Sequence, residues 1–211
     1  MLRIHCVSLD GVSLDGASLD AGGAAEPSWI RQALLQCPWV VVRRAQAAVG
    51  LIAVGVRGDS RSERWAACCE KTLVREIVRP EELLLCDRTL IDVWRTPALR
   101  TLQEMTGRWA DLRLPWGPGG SVAYELASGR KVTTQSSDLD LVVRAKEKIG
   151  AEEARFLLDR IFGLEAKVDV RVETPLCGFS LEEYVSASSA KILLRYPDGV
   201  RLGEDPWRQR A

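Results

Sequence analysis

Ser137-Asp138-Leu139-Asp140-Leu141 alternates acidic and apolar side chains, the period of a strand with one face buried. Residues i and i+2 of a strand share a face, so Leu139 and Leu141 point into a core while Asp138 and Asp140 stand side by side on the other face. Two like charges about 4 Å apart cost about 1 kcal/mol in water and about 4 kcal/mol at a surface-like effective dielectric. A partly buried pair therefore calls for a cation between its members. Carboxylate oxygens select a hard ion, and Mg²⁺ fills its remaining positions with water and substrate phosphates. Two solvated acids on an edge strand are the bland reading of an isolated Asp-x-Asp.

Two further stretches weigh against that bland reading. Downstream, Lys167 to Val172 alternates Val168, Val170 and Val172 with Asp169, Arg171 and Glu173, so Asp169 joins the first two acids if the strands are neighbours. About 18 residues upstream, Gly119-Gly120-Ser121 opens a helix read over Val122 to Ala127. Unhindered N–H groups and a hydroxyl at the positive end of a helix dipole make a phosphate cradle. Together the three stretches describe a site where metal ions clamp a polyphosphate while a hydroxyl attacks one phosphorus in line.

The chain has 211 residues with 46% hydrophobic content, enough for a buried core. Lys+Arg and Asp+Glu both total 29, so the net charge is zero and nothing in bulk favours nucleic acid or an anionic membrane. Apolar stretches such as Val49 to Val56 fall short of a membrane span, and no basic-then-apolar leader opens the chain; the reading is cytoplasmic. The six cysteines include no Cys-x-x-Cys pair and His5 is the only histidine, which sets aside zinc fingers and histidine-dependent triads. The cysteines read as small, reduced, buried hydrophobes.

Residues 1–27 carry a threefold pentapeptide (Val7-Ser8-Leu9-Asp10-Gly11 and two successors) and read as a low-complexity segment. Residues 28–86 read as a small α+β domain. Ser28 caps a helix through Gln36, Trp39 to Val42 and Leu51 to Val56 are strands, Trp65 to Ile77 has helical spacing, and Pro80-Glu81-Glu82 starts a helix. Residues 87–211 form the larger, catalytic part. It has a helix from Pro97 to Trp109, a Pro/Gly turn from Pro115 to Ser121, a helix from Ala151 to Phe162 closed by Gly163, a capping box at Ser180-Leu181-Glu182-Glu183, and a strand at Ile192-Leu193-Leu194 turning at Pro197-Asp198-Gly199.

The order Gly-Gly-Ser, apolar-flanked Asp-x-Asp, then an apolar-Asp-apolar strand resembles the nucleotidyltransferase superfamily of the DNA polymerase β type. More narrowly, the chain resembles the malonate decarboxylase holo-acyl carrier protein synthase family, also called phosphoribosyl-dephospho-CoA transferase. Pro38 to Arg44, Val54 to Gly58, Gly117 to Ser121, Thr134 to Leu141, Asp169 to Pro175 and Asp205-Pro206-Trp207 carry the resemblance, which runs from about Ser28 to Arg208 and leaves the pentapeptide segment out.

The resemblance implies a nucleotidyltransferase-like α+β fold: a mixed sheet with flanking helices, preceded by a small α+β N-terminal domain. It implies transfer of phosphoribosyl-dephospho-CoA from 2′-(5″-triphosphoribosyl)-3′-dephospho-CoA to a serine of the apo acyl carrier subunit of malonate decarboxylase, releasing diphosphate. Asp138 and Asp140 would hold Mg²⁺ (or Mn²⁺), Gly120 and Ser121 would bind the leaving diphosphate, and Asp169 would complete a second metal site or accept the serine proton. Lys191 is the favoured basic partner for the phosphates, ahead of Arg130 and Arg144, because the strand after it can return beside the site. In the first domain Arg43, Arg44, Arg57 and Arg61 surround the two strands, placed to meet a CoA-like group or an acidic carrier. The competing class is an ATP-dependent adenylyltransferase on the same metal site, and a non-catalytic binding module is the third.

Overall fold

The computed structural model describes residues 6–9, 27–60, 62–85, 92, 94–186 and 191–208. The second and third pentapeptides, His5, Arg61 and Cys86 lie outside the described residues. The chain divides into two compact units, Leu2–Arg79 and Pro80–Ala211.

In the first unit, β1 (Cys6–Leu9), β2 (Trp39–Val42), β3 (Leu51–Arg57), β4 (Arg64–Glu70) and β5 (Val74–Val78) form an antiparallel sheet in the order β4-β3-β2-β1-β5. Helix α1 (Trp29–Gln36) supplies Ile30 and Leu34 to a core with Val40, Val54, Val56, Ala67 and Cys69. Two expectations are corrected here. Trp65 to Ile77 is not a helix: Ala67 and Cys69 face the core at i and i+2, and β4 pairs with β3 over its whole length, from Leu51↔Glu70 to Arg57↔Arg64. The first pentapeptide is not mere decoration, because its Val7-Ser8-Leu9 belongs to a strand lying between β2 and β5. Arg43 runs its methylenes across Gly55, where a Cβ would sit 3.5 Å from Arg43 Cδ.

The second unit holds a six-stranded mixed sheet with flanking helices, in the order β11-β10-β9-β8-β7-β6. Its strands are β6 (Trp116–Pro118), β7 (Leu139–Arg144), β8 (Val168–Glu173), β9 (Gly178–Ser180), β10 (Ile192–Tyr196) and β11 (Gly199–Gly203). Only β7 and β8 run parallel, joined by helix α4 (Ala151–Asp159) as the crossover that parallel pairing requires. Leu139, Leu141, Val170, Val172, Phe179, Ile192 and Leu194 are all buried and share one face by register. Helix α2 (Pro97–Arg108) packs on β7, and Trp109, which follows it, meets Trp116 edge-on with ring centroids 4.9 Å apart.

The turn expected over Pro115 to Ser121 contains the short edge strand β6, where Pro118 is tolerated because one side of an edge strand needs no donor. The start expected at Pro80-Glu81-Glu82 yields one 3-10 turn, Glu82–Leu84, pinned by the buried Leu83. Beside it, a Cβ on Gly117 would sit 1.9 Å from the Pro80 carbonyl oxygen, and backbone cannot step aside as a side chain can. Gly117→Ala is expected to cost about 1–3 kcal/mol, read as a lowered thermal midpoint. Ser180 Oγ accepts the Glu183 N–H at 3.4 Å at the head of α5 (Leu181–Ser186), but the Glu183 carboxylate accepts from Leu193 N at 2.8 Å. The expected reciprocal capping box is therefore half formed, and its acid ties the helix to β10 instead. No helix among the described residues is long and apolar enough to cross a membrane.

Candidate active site

Parallel pairing of β7 with β8 sets Asp140 directly beside Asp169. Alternation then places Asp138, Asp140 and Asp169 on one face, opposite the buried Leu139, Leu141 and Val170. Asp138 and Asp169 are exposed and Asp140 is half-buried. Asp138 precedes the first residue of β7, with Leu139 N already donating to the Lys167 carbonyl at 2.8 Å.

The Gly-Gly-Ser turn meets these acids directly. Gly119 N–H donates to the Asp140 carbonyl at 2.8 Å, and helix α3 (Gly120–Ser128) begins at the next residue. Gly120 has φ +56, and a Cβ there would lie 1.8 Å from Asp140 Oδ2. Only glycine lets the helix start reach the carboxylate this closely. Gly120→Ala is expected to add about 1–2 kcal/mol of left-handed strain and to push the Asp140 carboxylate aside, cutting any activity that depends on that carboxylate more than tenfold; rate and thermal midpoint measured together check both halves.

An acid with no sequence signal organises the surroundings. Glu125, on α3, is 2% exposed and pairs with Arg95. Its Oε2 accepts from Val132 N at 2.9 Å, Thr133 N at 2.8 Å and Thr133 Oγ1 at 2.8 Å. Arg95 Nη1 donates to the Thr133 carbonyl at 2.8 Å, and Gln135 Nε2 donates to the Arg95 carbonyl at 2.9 Å. The segment entering Asp138 is thus tied to the helix that begins at Gly120. Burial alone would push the Glu125 carboxyl up, but the bonds from Arg95, Thr133 and Val132 outweigh it and hold the group below its ordinary value.

Among the basic candidates, Arg144 is ion-paired with Glu81, and Arg130 follows the far end of α3, a helix about 13 Å long, from Gly120. Lys191 is exposed immediately before β10. The register through β9 carries it to the acids' face, because Arg195 pairs with Gly178 and Gly178 with Glu173, and 191, 193 and 195 alternate with buried Ile192 and Leu194.

Among the described residues, no group of three or more His, Cys, Asp or Glu side chains is gathered so as to hold a metal by itself. Magnesium makes no such demand, since one or two carboxylates plus substrate phosphates complete its shell. The all-oxygen donor set and the glycine-only approach to Asp140 fit that ion. Cys37, Cys69 and Cys177 are buried and Cys68 is half-buried, and burial, with Cys68 beside it, pushes the Cys69 thiol up.

Comparison with known proteins gives these motifs their context. Residues 85–206 match the family model of the phosphoribosyl-dephospho-CoA transferase MdcG C-terminal domain, and residues 10–80 match that of its N-terminal domain. The chain is 37% identical over 195 residues to a phosphoribosyl-dephospho-CoA transferase of Azotobacter vinelandii, covering 89% of each protein. It is 37% identical over 181 residues to the Pseudomonas putida enzyme of that name, covering 86% of each, and 38% identical over 181 residues to one from Pseudomonas fluorescens, covering 86% of this chain and 85% of the relative. No solved structure matches the chain. Two domain models that between them take in both units, together with relatives matched over most of their own length, agree with the resemblance drawn from the motifs: the chain belongs to the phosphoribosyl-dephospho-CoA transferase family of transferases.

Proposed function

We propose that the second unit is a nucleotidyltransferase-like catalytic domain that transfers phosphoribosyl-dephospho-CoA from 2′-(5″-triphosphoribosyl)-3′-dephospho-CoA to a serine of the apo acyl carrier subunit of malonate decarboxylase. The observation that carries this reading is the meeting of Asp140 with Asp169 across the parallel pair and with Gly120 at the helix start. In the reaction the serine hydroxyl attacks the α-phosphorus, a new O–P bond forms, and the bridge to the β-phosphoryl group breaks to release diphosphate.

Asp138 and Asp140 are the residues that would hold Mg²⁺ or Mn²⁺, which supplies charge neutralisation on the phosphate oxygens when bound. Gly120 and Ser121 offer N–H groups and a hydroxyl to the leaving diphosphate at the positive end of α3. Asp169 accepts the serine proton or completes a second metal position, and Lys191 contributes positive charge on the same face. A zero net charge suits a protein acceptor rather than a nucleic acid.

Intact mass spectrometry of the apo carrier subunit, after incubation with this protein, Mg²⁺ and the triphosphoribosyl precursor, tests the reading. A mass gain equal to the precursor minus diphosphate supports it. An adenylyl adduct in a parallel ATP-only reaction, with no gain from the precursor, overturns the substrate while keeping the metal site.

A further inference from the structure

On β8 the exposed Asp169, the half-buried Arg171 and the buried Glu173 lie on the face opposite the buried Val170 and Val172, and β10 places Leu193 and the exposed Arg195 on the same face. Between them runs β9, where Arg171 pairs with Ser180 and Arg195 with Gly178. The two arginines therefore flank a floor of one glycine and one small hydroxyl residue, about 12 Å apart, two strand spacings across and two residues along, with Glu173 level with Gly178 and Arg195, and within the converging reach of two guanidinium chains.

Neither guanidinium has a hydrogen-bond or ion-pair partner among the described residues. Six of the twelve described arginines of this unit are engaged otherwise: Arg95, Arg100, Arg108, Arg144, Arg160 and Arg201 each meet a carboxylate. Arg171 stands two residues from Asp169 on one face and still makes no pair with it. Ser180 Oγ accepts the Glu183 N–H, which leaves its own proton free to donate. Paired guanidinium forks and a hydroxyl beside a flat floor suit a group with several phosphate oxygens better than a single carboxylate.

We propose that Arg171, Arg195 and Ser180 bind the diphosphate bridge of the donor's dephospho-CoA portion, a second anion site beside the one where the triphosphate reacts. This rests on the donor assigned under the proposed function. Such a donor carries two separated phosphate groups, of which only the triphosphate is consumed. The other stays on the transferred group, so its contacts persist from substrate to product and add uniform binding rather than rate.

Calorimetric titration of the full chain with dephospho-CoA, which lacks the triphosphoribosyl group, isolates the site. For Arg171→Gln/Arg195→Gln, dephospho-CoA affinity should fall at least tenfold and the KM for the donor should rise by a similar factor, with kcat within about threefold. Tripolyphosphate with Mg²⁺ should bind the double variant within about twofold of the wild type, and Asp140→Asn should show the reverse pattern. Unchanged dephospho-CoA affinity, or an equal loss for tripolyphosphate, in a double variant of wild-type thermal midpoint overturns the second site while the transferase reading stands. A wild-type protein that neither binds dephospho-CoA nor modifies the carrier overturns both.

Discussion

Asp140→Asn should slow transfer about a thousandfold while leaving the thermal midpoint unchanged or slightly raised. The substitution keeps the shape of the side chain and leaves intact the bond from Gly119 N–H, which goes to the Asp140 main-chain carbonyl. What it removes is one of two carboxylates set directly opposite across β7 and β8, a like-charge pair that costs stability when no cation is present. The loss falls on the reaction, where a single preorganised electrostatic contact is commonly worth about 100- to 1,000-fold. Asp138→Asn should behave alike. Rates by intact mass spectrometry and folding by circular dichroism check the pair; wild-type turnover in a folded variant would remove these residues from the site.

The second large effect is on stability. Glu125→Ala strips the buried acceptor from Arg95, Val132 and Thr133, and breaking a buried charge pair in this way costs about 3 kcal/mol. The midpoint should fall by about 6–12 °C, by the scaling for a chain of this size. Its pH dependence has a definite sign. The folded carboxyl titrates below its unfolded value, so its contribution is complete above about pH 4.3 and is lost as the pH falls through the folded value. The gap between wild type and variant should accordingly narrow in acid. A gap that widens there would refute the ion-paired assignment.

Much of this was legible in the sequence, and the parts that were not share physical causes. The helices beginning at Trp29, Pro97 and Ala151 announced themselves through 3.6-residue spacing, but the expected caps did not form: neither Ser28 nor Thr96 bonds its helix start through its side chain, and the Ala151 helix ends at Asp159, short of Gly163. The stretch Trp65-Ala66-Ala67-Cys68-Cys69 did not, because small apolar residues at consecutive positions satisfy a helical and an alternating period equally, and pairing with β3 decided between them. The strand Cys6–Leu9 was hidden by the repeat around it. Alternation alone aligned Asp138 with Asp140, but nothing local could say that Asp169 would stop level with Asp140 rather than two residues off, since register is settled between strands. Glu125 was invisible for a different reason: its partners lie in a loop seven and eight residues on and in Arg95, 30 residues back, with no periodicity to link them.

Parallel pairing of β7 with β8 also decides how accurately the site can be built. A slip of one residue between these strands would turn Asp169 inward and carry Val168, Val170 and Val172 outward, putting a carboxylate into an apolar layer and the surface of three valines into water. The penalty for misaligning the acids is thus levied by the hydrophobic core, not by the acids themselves. The alignment of the proposed site's acids is set by side chains on the reverse of the sheet, so conservative exchanges at Leu139, Leu141, Val170 or Val172 are expected to disturb that alignment as well as the fold.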